Sequence, residues 1–154
     1  MQGKEQKGRL TLIDEKNVDE CAALLFGVFS NEPFNLTWLK ETNIRRYCRD
    51  MLKTPHFIGF FYTIDGAGVG ACLGVVNDYF SQAVYDIKEI FIVSSMQRKG
   101  LGGTMLREIE KVLAAKEICA VTLFTRKDIP AYSFYLKNSY SESPETVYFY
   151  KALQ

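Results

Sequence analysis

The sequence has little of what several common chemistries require. One histidine, His56, and four scattered cysteines, Cys21, Cys48, Cys72 and Cys119, are all that 154 residues offer a soft metal. No Cys-x-x-Cys pair occurs, which argues against a zinc site. Each cysteine lies in an apolar-periodic segment, as expected of buried free thiols in a reducing cytoplasm. An excess of one charge is also missing. Lys and Arg total 19 against 18 Asp and Glu, leaving a net charge of +1. A nucleic-acid binder needs a concentrated basic surface, so that class is not expected. No apolar run approaches the length of a membrane-spanning helix. The start, Met1 to Lys7, is polar and lacks the apolar core of a signal peptide. What the chain does have is 47% hydrophobic residues, enough for one substantial core.

The most informative stretch is Asp86 to Leu113. Ile87 to Val93 is rich in β-branched and aromatic residues and reads as a buried strand. Gln97-Arg98-Lys99-Gly100-Leu101-Gly102-Gly103 follows. Met105, Leu106, Ile109, Val112 and Leu113 then recur at helical spacing, with Arg107, Glu108, Glu110 and Lys111 opposite. A strand that passes through glycines into a helix can hold a phosphate. The first helical N–H groups lack partners and sit at the positive end of the dipole. Gly100 and Gly102 can adopt positive φ, none of the three glycines has a Cβ to collide with a pyrophosphate, and Arg98 and Lys99 add positive charge. A P-loop would need Gly-Lys-Ser/Thr, which is absent. A dinucleotide fingerprint would need a third glycine where Met105 stands. Gly68-Val69-Gly70 with Gly74 has the wrong spacing and lies in a strand-like run.

Gln97-x-x-Gly100-x-Gly102 resembles the acetyl-CoA pyrophosphate motif, Gln/Arg-x-x-Gly-x-Gly/Ala, of the GNAT superfamily of N-acetyltransferases. Ile92, five positions before Gln97, stands where that family commonly has a strand valine. Downstream, after the strand-like Ala120 to Thr125, Asp128 to Tyr140 is similar to the family's Asn-x-x-Ala-x-x-Phe-Tyr-x-Lys-x-Gly-Phe. Asp128 replaces the asparagine that bonds the pantetheine arm, and an ionised Asp accepts but cannot donate. Ser139-Tyr140 replaces Gly-Phe, and Ser94 a common proline. The resemblance covers roughly residues 56 to 153. It implies acetyl-CoA as co-substrate, held by Phe91, Ile92, Val93, Gln97, Arg98, Lys99, Gly100, Leu101, Gly102, Gly103 and Asp128. It also implies direct attack by an amine and Tyr135 as the group that protonates the departing thiolate. Glu89 and Asp86 are the candidate bases, Glu89 ranked first. Three residues apart on a regular strand, the two point to opposite faces, so only one can border the cleft unless a bulge shifts the register.

The resemblance implies an α/β (α+β) fold: one GNAT-type domain over 1–154, with 1–9 a flexible N-terminus. Its mixed central sheet would have about six or seven strands, helices on both faces and a splay between the two central strands. Along the chain, the pattern predicts a strand over Leu10 to Ile13 and a helix opened by a capping box at Asn17 and Glu20. A second helix is expected over Thr37 to Leu52, with Ile44, Tyr47, Cys48, Met51 and Leu52 inward. Its outer Arg45, Arg46, Arg49 and Lys53 read as a solvated basic face. Phe57 to Ile64 and Val69 to Val76 form a hairpin through Asp65-Gly66. The last helix runs from about Ile129 to Asn138, and Val147 to Leu153 closes the sheet. Glu32, Phe34 and Trp38, in the loop between the first helices, are candidates to meet a cationic acceptor; His56 reads as an ordinary edge histidine. The expected function is acetylation of a small primary amine in the cytoplasm, without nucleic acid or membrane and with a homodimer in view. A non-catalytic acyl-CoA-binding module and a peptide or protein N-acetyltransferase are the alternatives.

Overall fold

The computed structural model describes residues 7–154. These fall into two compact units, 7–124 and 125–154. The first unit is built on strands β1 (Gly8–Leu12), β2 (Phe57–Ile64), β3 (Ala67–Tyr79), β4 (Gln82–Ile92) and β5 (Ala120–Leu123). They make one sheet in chain order, antiparallel up to β4, with β5 parallel to β4. Helices α1 (Val18–Ser30) and α2 (Glu41–Leu52) connect β1 to β2, and α3 (Leu101–Ala115) connects β4 to β5. The second unit contains α4 (Pro130–Lys137). This is a mixed α+β sheet fold with four α-helices among the described residues.

One core lies between α1, α2 and a face of the sheet. Cys21, Leu25 and Val28 of α1 and Ile44 and Cys48 of α2 meet Phe61, Ala71, Leu73 and Phe91. The other face carries Met105, whose sulfur lies near Gly70 beside Ile92, so helices flank both faces. The β2–β3 turn is the Asp65-Gly66 hairpin read from the sequence. Both residues have positive φ, 50° and 82°, the conformation that lets a two-residue turn follow the strand twist.

Five expectations are corrected. The sheet has five strands among the described residues rather than six or seven, and Val147 to Leu153 forms no ladder. Its composition fits a pleated surface, but strand propensity is expressed only against a partner edge. Asn17 occupies the cap position of α1 without capping it. Its side chain instead accepts from the Asp14 N–H and donates to the Leu12 carbonyl, so it braces the preceding turn. Helix α2 starts at Glu41 rather than Thr37, because residues 31–40 form a tight loop. There the N–H of Leu36 bonds Phe29 and that of Leu39 bonds Leu36. Phe34 packs edge-on against Phe29, while Trp38 is 73% exposed. Cys119 is exposed, unlike the other three cysteines, since it precedes the short strand β5. Gly8 and Arg9, assigned to a flexible terminus, belong to β1; Lys7 lies just before the strand, and the part of that assignment on 1–6 lies outside the described residues.

Candidate active site

The site begins with an irregularity in β4. Against β3, Glu89 pairs with Leu73 and Asp86 with Val75, while Ile87 pairs with Gly74. Two residues separate Leu73 from Val75, but three separate Glu89 from Asp86, so β4 holds one extra residue, Lys88. This is a β-bulge. Leu73 and Val75 share a face, so their partners do too. The expectation that Asp86 and Glu89 point to opposite faces is therefore overturned: both lie on the face covered by α1 and α2. Gly74 makes room for the irregularity. A Cβ there would stand 2.4 Å from the Tyr85 ring and 2.7 Å from the Asp86 carbonyl oxygen. The Tyr85 hydroxyl, held beneath it, donates to the Ile58 carbonyl at 2.7 Å.

The two carboxylates have different surroundings. Asp86 accepts from Lys88 Nζ at 2.6 Å and from Thr122 Oγ1 at 3.0 Å, which commits both of its oxygens. Glu89 is half-buried and accepts from the Tyr47 hydroxyl of α2 at 3.2 Å. Burial pushes the Glu89 carboxyl above the ordinary carboxylate value, and the Tyr47 hydrogen bond pulls partly the other way. Tyr47 is pushed up in turn, by burial first and then by the Glu89 charge, so it stays a donor. Tyr47 belongs to the inward stripe that the sequence pattern predicts for α2, whereas no pattern in the sequence points to Lys88 or Thr122. A phenol on an apolar stripe needs a partner for its hydroxyl, and that was the available signal.

Next to Glu89 the sheet opens. β5 accompanies β4 only over Val84–Ile87, paired with Ala120–Leu123, and β4 runs on to Ile92 without it. Backbone groups of Phe91 and Ile92 lie along this stretch. Gln97, after a short 3-10 turn at Ser94–Met96, reaches back and donates from Nε2 to the Ile92 carbonyl at 2.7 Å. That bond fixes the loop to the end of the strand. Gly100 then begins α3 in the left-handed region, at φ 76°, as expected. Arg98 shares that conformation at φ 62°, which a glycine would adopt more readily. Gly102 and Gly103 are helical instead, and their missing Cβ atoms leave the first turn of α3 bare. The Thr104 N–H already bonds the Gly100 carbonyl, so Leu101, Gly102 and Gly103 present the N–H groups without an acceptor inside the helix. Three adjacent amides, no side chain on two of them, and the cations Arg98 and Lys99 fit a diphosphate in size and sign.

The second unit holds the remaining candidates. Asp128 accepts from Arg126 through both oxygens, and that ion pair holds its carboxyl below the usual range. Tyr132 donates to Glu142, which Lys127 also contacts. The Tyr135 ring meets Phe134 edge-on and Tyr140 at a tilt, with ring centroids at 5.2 and 5.6 Å. In the first unit, His56 immediately precedes β2 at φ 62°. The basic face of α2 is partly paired, Arg45 with Glu41 and Arg49 with Asp19 of α1.

A family model described as "Acetyltransferase (GNAT) family" matches residues 25–140. No curated protein matches the chain at a level that carries an argument. Among solved structures, a possible acetyltransferase from Clostridium difficile 630 is similar over 96% of this chain and 99% of its own, with TM-score 0.77 and 14% identity. An aminoglycoside acetyltransferase from an uncultured soil metagenomic sample, in complex with sisomicin, covers 96% and 97% with TM-score 0.73 and 17% identity. An aminoglycoside N-acetyltransferase in complex with CoA covers 99% and 100% with TM-score 0.75 and 12% identity. At these identities the likeness is one of fold.

Proposed function

This chain is an acetyl-CoA-dependent acetyltransferase of the GNAT family, and from that premise we propose that it acetylates a primary amine of a small molecule, with Glu89 as the base. The observation that carries the reading is the bulged β4. It sets a half-buried carboxylate of raised proton affinity beside the gap where β5 has ended. When bound, acetyl-CoA supplies an activated acetyl group. The amides of Leu101 to Gly103, with Arg98 and Lys99, would hold its diphosphate, and Gln97 keeps that loop against the strand end.

An alkyl amine with a pKa of about 10.4 is mostly protonated at neutral pH, and freeing it costs roughly 4 to 5 kcal/mol. A base must therefore reach the amine directly or through one water. Glu89 is the better placed of the two candidates because Asp86 is committed to Lys88 and Thr122. Tyr135 matches the family position that protonates the leaving thiolate, a part that a tyrosine hydroxyl can take as proton donor. Support for a small acceptor comes from fold neighbours described as aminoglycoside acetyltransferases, one of them with sisomicin bound. The reading keeps the protein in the cytoplasm; among the described residues no helix is long and apolar enough to cross a membrane.

One observation favours a second reading, a non-catalytic acyl-CoA-binding module. Arg126 occupies Asp128, the position that would contact pantetheine. The test is thiol release from acetyl-CoA with a panel of primary amines including sisomicin, comparing wild type with Glu89→Gln and Tyr135→Phe. The enzyme reading expects amine-dependent release that falls by roughly 100-fold or more in each variant, the usual scale of general acid or base catalysis. Coenzyme A binding with no amine accelerating release would favour the binding module, and acceleration by peptides alone would move the acceptor class to proteins.

A further inference from the structure

Glu89 has one hydrogen-bond partner among the described residues, and it comes from a helix 42 residues earlier in the chain. Tyr47 sits between the buried anchors Ile44 and Cys48 on α2, so the packing of that helix fixes where its hydroxyl points. A tyrosine hydroxyl donates through one hydrogen and so engages one carboxylate oxygen, here Oε1. At 3.2 Å the bond is long for O–H···O, a geometry that tightens as charge develops on the acceptor.

The other charged and titratable groups near Glu89 do not compete for this part. Lys88, the bulged residue, is turned to Asp86, and Asp86 is in turn closed by Lys88 and Thr122. From the packed elements, two thiols among the described residues feel the Glu89 charge, Cys48 of α2 and Cys72 of β3. Both are fully buried, and burial pushes Cys72 up to about 12, so it carries no charge near neutral pH.

We propose that Tyr47 is the positioning residue of the reaction: its hydroxyl holds the Glu89 carboxylate through Oε1 and leaves Oε2 to take the acceptor's proton. This rests on the reading of Glu89 as base. Because the bond favours the ionised carboxylate and offsets part of the effect of burial, removing it raises the proton affinity of Glu89 further, to what burial alone sets. A hydrogen bond to a charged group corresponds to about one pH unit.

The test follows wild type, Tyr47→Phe, Glu89→Gln and a protein carrying 3-fluorotyrosine at position 47. The first readout is the side-chain 13C carboxyl titration of Glu89, assigned by its loss in Glu89→Gln, with coenzyme A present. The second is the acid limb of kcat/KM with acetyl-CoA and the most active amine of the panel. In Tyr47→Phe both midpoints should move up by about one pH unit, with the lost activity recovered above the new limb. The 3-fluoro ring keeps the shape of tyrosine and is a stronger donor, so it should move both midpoints down, whatever the folding of Tyr47→Phe. A uniform drop in kcat/KM at every pH with unmoved midpoints would mean that Tyr47 only packs, and would overturn the inference while leaving Glu89 as base. An acid limb that survives in Glu89→Gln would overturn the base assignment itself, and this inference with it.

Discussion

A carboxylate placed half inside a protein acts on folding as well as on chemistry. Folded Glu89 binds its proton more tightly than the unfolded chain does, where the ordinary value is 4.5. Its ionisation therefore opposes folding, and stability falls as pH climbs from about that value through the raised folded one. Glu89→Gln keeps an acceptor for Tyr47 and removes the charge. It should raise the urea midpoint at pH 8 and leave it unchanged at pH 4, where both forms are neutral. Equal midpoints at pH 8 would show that burial does not perturb this group. At this scale the sequence was legible in residue type and not in partnership. Glu89, Asp86, Gln97 and Gly100 are readable from motif and order, but nothing near Glu89 in the sequence indicates Tyr47. Nor does anything near Asp86 indicate Thr122, 36 residues away, because those bonds exist only once α2 and β5 have docked.

At the scale of elements, β4 matters more for its defect than for its regularity. A perfect strand would give the α1/α2 face one carboxylate; the extra residue Lys88 gives it two. Gly74 is the counterpart on β3, where a side chain would collide with the Tyr85 ring and the Asp86 backbone. Gly74→Ala should destabilise the protein by about 1 to 3 kcal/mol, the usual cost of overfilling a packed core. It should also lower amine-dependent thiol release more than coenzyme A affinity. Urea denaturation with calorimetry checks both, and a variant of wild-type stability would show that the bulge does not depend on this glycine. The apolar patterns foretold β2, β3, α1 and α3: the two helices each bury one stripe, on opposite faces of the sheet, and β2 and β3, buried on both faces, read as apolar runs. The bulge was not foretold, since inserting one residue leaves an apolar run looking apolar. The start of α2 was misjudged because the loop at 31–40 is held by backbone bonds that side-chain patterns do not encode.

Across the molecule, the family and the mixed sheet were readable because two separated motifs agree in order and spacing with one acetyltransferase model over residues 25–140. The strand count was not, because a last strand needs a partner edge as well as suitable composition. The core against α1 and α2 is assembled from aliphatic, phenylalanine and cysteine side chains, and the chain's single tryptophan stands outside it. Trp38 lies on the connection leading into α2, the helix that carries Tyr47. Its indole already meets water in the native state, so denaturing the protein should leave the emission maximum almost where it was. An amine settling on this connection should dry the ring and shift its light to the blue, a titration read by fluorimetry without isotope or coupled assay. Trp38 would then report occupancy rather than folding, and an emission maximum that stays fixed through the amine titration would place the acceptor elsewhere.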